Sequence, residues 1–230
     1  MYMPFCSDTL TEAEHIALRQ SITNVQCAAE QSLSACQSDE ALVGFITNLQ
    51  NGVDRVVQTA VDRGVAIQCK AGCSDCCHAK VEATAPEVFR IANVLMSCAT
   101  EEVDAWIARL AEYGSHAGDQ AEWALRRPCP FLIDDLCAIY DVRPGTCRKA
   151  HSLDVNACKA GAATIPQSLD VVLAAEALMK GTANAYQTLG YDASRHELVY
   201  AVWCVLTDPE IKTRWLAGEP VLGGITPDSE

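Results

Sequence analysis

The chain is short of positive charge and of long apolar runs, and each shortage removes a class of function. Lys and Arg number 17 against 30 acidic residues, a net charge of −13. No array of basic side chains is there to meet a phosphate backbone, so no nucleic-acid partner is expected. No apolar run approaches the roughly 20 residues that span a bilayer. The opening stretch, Met1-Tyr-Met-Pro-Phe-Cys6, has neither a basic n-region nor an apolar h-region. The expectation is a soluble, cytoplasmic protein with no membrane partner. A glycine-rich nucleotide loop, a paired-carboxylate motif and a serine nucleophile elbow are also missing, so no motif names a substrate.

What the chain has in excess is cysteine, 13 in 230 residues. An odd count in a chain of this size argues for metal binding or redox chemistry in a reducing compartment rather than a disulfide framework. A chain this long buries roughly 70–75% of its extended surface on folding, so it can build a core without staples. No internal repeat or linker divides it, and a single domain over 1–230 is expected. Its parts are a helical N-terminal part over 1–65, a cysteine-cluster core over 66–150, a helical C-terminal part over 151–218 and a flexible tail over 219–230.

The thiols are clustered. Cys69, Cys73, Cys76 and Cys77 fall in one ten-residue stretch ending at His78; Cys129, Cys137 and Cys147 follow in a second group. Cores draw on Leu, Ile, Val and Ala as well, so a set of thiols this dense points to a thiolate-rich metal or cluster site. Were residues 69–78 helical, a step of about 100° per residue would place the first four thiols within one stripe. Neighbours Cys76 and Cys77 would still point apart, which suits a multinuclear centre better than one tetrahedral ion. Gly72 permits the alternative, a tight turn that wraps the metal. Cys158 brings the thiols to eight, enough for two tetrahedral sites or two cubane clusters, while about four would serve a single cluster and leave spares, and His78 and His151 extend the choice. Cys27, Cys36 and Cys204 are read as bystanders.

The fold class is mainly α, a helical scaffold with a small β-hairpin around a cysteine-rich metal site. Thr11-Glu-Ala-Glu14 reads as a capping box for a helix to about residue 35. Asp39 is expected to cap a second long helix ending near Gly64, and the two helices to pair antiparallel. Thr84-Ala-Pro86-Glu87 opens another helix, Thr100 the next, and a short helix is expected around Trp123. Phe131 to Tyr140 reads as a hairpin about an Asp134-Asp135 turn, with Cys129 and Cys137 on opposite arms. Helices follow over 168–189, after a capping box at Ser194-Arg-His-Glu197, and after Asp208-Pro209.

The order Cys-x3-Cys-x2-Cys-Cys, then Cys129-Pro-Phe-Leu132, then Cys137-x-Ile139-Tyr140-x-x-Arg143-Pro144-x-x-Cys147-Arg148 resembles the YkgJ-type cysteine-cluster proteins, described as zinc- or iron-chelating domains. The resemblance covers about residues 66–150 and implies metal binding by seven cysteines: 69, 73, 76, 77, 129, 137 and 147. A related motif in flagellin lysine methylases, described as carrying an iron–sulfur cluster, adds an enzyme reading.

Several thiolates around a divalent ion leave a net negative site. Arg143 and Arg148 stand beside ligand candidates, and both are expected to donate to sulfur from outside the ligand shell. The sequence thus predicts a metal-binding protein holding iron, as an iron–sulfur cluster, with zinc as the alternative. A metal- or cluster-dependent enzyme of redox or group-transfer type, and a metal-stapled module for a protein partner or homo-oligomer, are the competing functions. A redox dithiol at Cys73-Ser-Asp-Cys76 lacks the βαβ setting such motifs use.

Overall fold

The computed structural model describes residues 10–115 and 127–222, so the expected helix around Trp123, the start of the chain and residues 223–230 lie outside the described residues. The protein is mainly helical, as its sequence predicts; among the described residues the strands form two short two-stranded sheets.

Helix α1 (Glu12–Ser34) begins at the expected box, in which Glu14 accepts from the Thr11 amide at 2.7 Å. The expected second long helix is two helices. Ser38, not Asp39, caps α2 (Asp39–Gly44), and Phe45 separates it from α3 (Ile46–Asp62). Gly64 closes α3 with φ +90°, the left-handed turn that lets the Val65 amide reach back to Ala60.

The expected pairing of α1 with this second segment is corrected. Helix α8 (Leu169–Thr188) lies between them, packing against α1 on one side and α3 on the other. The reason is a small residue at each crossing. A Cβ on Gly181 of α8 would stand 2.7 Å from Val25 of α1, and one on Gly52 of α3 would stand 3.2 Å from Leu178 of α8. Backbones that close pack only where Cβ is missing.

A second group packs α4 (Ala85–Met96) and α5 (Thr100–Ser115) with α9 (Leu198–Thr207). Strand β1 (Glu82–Thr84) runs into α4 and strand β4 (Arg195–Glu197) into α9, pairing antiparallel with Ala83 opposite His196. This sheet replaces the capping box expected at Ser194. Glu197 is the cap instead, its carboxylate accepting from the Val199 and Tyr200 amides at 3.1 and 2.7 Å. Between the groups sits Trp215 of α10 (Glu210–Leu216), fully buried against Phe89, Tyr186 and Tyr191 with ring centroids 5.1 to 6.1 Å away. Its indole N–H donates to the Asp192 carbonyl at 2.6 Å, so the large ring is buried with its polar atom satisfied.

Candidate metal centre

The first cysteine segment is not a helix. The Cys73 amide closes a turn onto the Lys70 carbonyl at 2.9 Å, with Gly72 at φ +80°, the position that demands glycine in a type II turn. A single 3₁₀ turn, Asp75–His78, follows. The single-stripe geometry therefore gives way to the wrapping turn that Gly72 permits. The adjacent Cys77 thiol drives the Cys76 thiol far above its ordinary range. His78 turns Nδ1 onto the Ser74 carbonyl at 3.1 Å.

The second segment is the expected hairpin, β2 (Leu132–Ile133) and β3 (Leu136–Cys137), with Asp134 and Asp135 at φ 50° and 61° in the turn. Two positive φ values mark the tight hairpin turn whose twist matches that of paired strands. Cys137 lies on β3, and Cys129 precedes β2 rather than lying on it. The hairpin is tied to the first segment twice: the Cys129 amide donates to the Cys77 carbonyl at 2.7 Å, and Ser74 Oγ to Asp135 at 2.8 Å.

Cys147 sits in the short helix α6 (Gly145–Lys149), and the surrounding chain explains the Arg-Pro-Gly-Thr-Cys-Arg sequence. The buried carboxylate of Glu87 accepts from the Gly145 amide at 2.7 Å and from the Thr84 amide at 2.8 Å, joining α6 to the start of α4. A Cβ on Gly145 would stand 3.3 Å from Met179 and 3.4 Å from Glu87, so the position has little room for a side chain. Gln50 of α3 donates to the carbonyls of Val142 and Arg143, each at 3.3 Å. Arg148 is buried and gives its hydrogen bonds to the Arg143 carbonyl at 2.8 Å, the Asp141 carbonyl and the Asp54 carboxylate. The expected donation from Arg148 to sulfur is corrected: its acceptors are oxygens, because the carbonyls of its own loop turn inward and need a donor. Arg143 pairs with Asp54 at 3.5 Å and stacks on Tyr140 at 3.7 Å, and its charge lowers the Cys137 thiol against the upward push of burial.

Cys158 lies in α7 (Val155–Lys159), which is fixed to the first segment through Gln68. The Gln68 amide donates to the Ser152 carbonyl and its side chain accepts from the Val155 amide, both at 2.9 Å. His151 is not available as a ligand. It is buried, Nδ1 donates to the Lys149 carbonyl at 2.9 Å and Nε2 accepts from the Ser168 amide at 2.9 Å, so both ring nitrogens are used.

The thiols influence one another as neighbours. Cys73, Cys76 and Cys158 raise Cys69; Cys129, Cys76 and Cys137 raise Cys147. Burial is the leading cause at Cys147 and at Cys129, which is pushed up to about 11. The nearby backbone amides of Phe131, Ile139 and Ser152 favour the thiolates of Cys129, Cys137 and Cys69 against the upward push of burial. Among the described residues no three His, Cys, Asp or Glu side chains are arranged to hold one ion. Neutral thiols do not attract one another into a ligand shell, whereas a cation draws in thiolates. The donor chemistry fits zinc or iron: sulfur throughout, with amide donors where negative charge would settle.

Sequence reasoning missed Glu87, Gln50 and Asp54, which hold the Cys147 loop, and Arg109, whose charge lowers Cys129 and which donates to the Leu132 carbonyl at 3.2 Å. All four lie on helices away from the thiols they serve, and the one local motif among them, the capping box at Glu87, marks a helix start and not its bond to Gly145. Cys27 and Cys98 are exposed on the surface, and Cys204 is half-buried against the core.

Fold and site together define a mainly helical protein with a cluster of cysteines gathered from distant segments. Residues 68–168 match the family CxxCxxCC, described as "Putative zinc- or iron-chelating domain", the family that the cysteine spacing resembles. The matched segment reaches beyond Cys147 to take in α7 with Cys158. No curated protein and no solved structure matches the chain. Among the described residues, no helix is long and apolar enough to cross a membrane.

Proposed function

We propose that this protein binds iron, as an iron–sulfur cluster, with zinc as the alternative occupant, through Cys69, Cys73, Cys76, Cys77, Cys129, Cys137, Cys147 and Cys158. The reading is supported by the hydrogen bonds that gather the cysteine-bearing segments, Cys129 to Cys77, Ser74 to Asp135 and Gln68 to Ser152 and Val155, and by the charges that the thiols exert on one another. Iron is preferred because adjacent cysteines and surplus thiols suit a multinuclear centre. Bound as a cluster, iron supplies one-electron transfer; zinc would supply a closed structural site.

The chain's own part is to give up thiol protons on binding and to offset the resulting charge. Arg143 and Arg109 are the cations whose fields reach Cys137 and Cys129. Arg148, spent on carbonyls and Asp54, holds the loop that presents Cys147. The protein acts as one domain in the cytoplasm, its cluster core spanning 66–150 within a chain of net charge −13, and its acidic surface leaves room for a protein partner or a second copy.

Anaerobic purification followed by metal analysis, acid-labile sulfide and a visible spectrum on one sample tests this. Iron with sulfide and broad visible absorption is the expected result. Stoichiometric zinc in a colourless protein overturns the cluster assignment, and a chain that takes up neither metal overturns the reading.

A further inference from the structure

We infer that the eight thiols form two unequal metal centres: an outer one from Cys69, Cys73 and Cys158, an inner one from Cys129, Cys137 and Cys147, with Cys76 and Cys77 at their junction giving one sulfur to each. This rests on the metal-binding reading above and divides it. The 69–78 segment is held from two sides by different parts of the chain. On one side Gln68 bonds Ser152 and Val155, which brings α7 and Cys158 to Cys69. On the other, Cys77 and Ser74 bond Cys129 and Asp135, which brings the hairpin to the same turn. Cys76 has electrostatic neighbours on both sides, Cys69 on one and Cys137 and Cys147 on the other.

The two sides differ in access. On the outer side Cys69 is exposed, Cys73 and Cys158 are half-buried, and α7 is a five-residue helix near the surface whose Asn156 and Lys159 face solvent. On the inner side Cys129, Cys137 and Cys147 are half-buried, and Cys129 and Cys137 pack against the core that includes Phe131, Ile139 and Val142. The loop carrying Cys147 is further fixed by buried Gln50, Glu87 and Arg148. A ligand that must leave for a chelator to enter can do so where its segment opens locally, and short exposed elements open at far lower cost than packed ones. The outer centre is therefore the exchangeable one, and the inner centre is retained.

The test uses the full chain, loaded anaerobically as isolated, with metal release to excess EDTA followed in time. Two phases of equal amplitude with rates at least about tenfold apart are expected, since that ratio corresponds to a difference of only about 1.4 kcal/mol in opening. Cys158→Ser should remove the fast phase and half the metal while leaving the slow phase intact. Cys147→Ser should remove the slow phase; Cys137→Ser, at a less confined position, gives the same readout should Cys147→Ser fail to fold. Cys98→Ser, outside the cluster, should change neither. One release phase, or loss of all metal in Cys158→Ser, overturns the division while leaving metal binding intact. A chain holding no metal overturns both.

Discussion

Arg148 shows how a residue beside a candidate ligand holds a loop without touching sulfur. Its side chain is 5% exposed, and it neutralises Asp54 while tying two carbonyls of the loop before Cys147. Arg148→Ala leaves those acceptors without their donor, and charged hydrogen bonds of this kind are each worth about 1.5–3 kcal/mol. Urea unfolding should show a loss of about 2–3 kcal/mol, with Arg148→Lys recovering less than half because an ammonium cannot serve three acceptors in a guanidinium plane. Metal content of the folded Arg148→Ala variant should also fall.

His151 makes a pH-dependent contribution with a definite sign. Burial lowers its pKa below the ordinary 6.5, because the charged ring would lose water and because Nε2 already accepts from Ser168. The unfolded chain therefore takes up a proton that the native state refuses. This contribution is whole above the unfolded pKa and shrinks as pH falls through it toward the folded value. Unfolding of the metal-free chain at about pH 7.5 and about pH 5.5 should show the native protein losing more stability on acidification than His151→Gln does. Equal losses would remove His151 from the account.

At the scale of elements, the packing of α1, α8 and α3 turns on glycine. Gly181→Ala puts a methyl 2.7 Å from Val25 and 2.8 Å from the Ile22 carbonyl. Overpacking of this sort costs about 1–3 kcal/mol, against about 1 kcal/mol that alanine returns in helix propensity. A lowered Tm is expected, while Gly44→Ala, where nothing lies within 4 Å, should be neutral or raise it. The same helices show what local sequence signals convey. Thr11-x-x-Glu14 and Thr84-x-x-Glu87 satisfy amide donors within four residues of themselves, so both helix starts were legible. Ser194-Arg-His-Glu197 looks the same on paper, but β1 offers Arg195 to Glu197 a strand partner more than a hundred residues away, and pairing displaces the cap.

For the whole molecule, the main core meets the candidate cysteines only at its edge, where Cys129 and Cys137 pack against it. Trp215, Phe89 and Tyr186 pack between the helical groups, together with buried Ile46, Val53, Ile91 and Val202. Removing metal with a chelator under reducing conditions should therefore lower Tm yet leave far-UV circular dichroism largely unchanged at room temperature. This is unlike small zinc modules, which unfold outright when stripped. Collapse of the helical signal on chelation would mean that the cluster, rather than the aromatic core, holds the helices together.

The sequence by itself determined the helical class, the hairpin with its Asp134-Asp135 turn and the clustered thiols of the segment that matches a family described as zinc- or iron-chelating. Those features rest on periodicity, capping and spacing, which act over a few residues. Only the tertiary structure decided that α8 lies between α1 and α3, that Arg148 and His151 serve the backbone, and that Cys69 and Cys158 are neighbours. Each depends on which distant surfaces meet. That is set by side-chain volume and by the demand that every buried donor find an acceptor, neither of which can be evaluated along the chain alone.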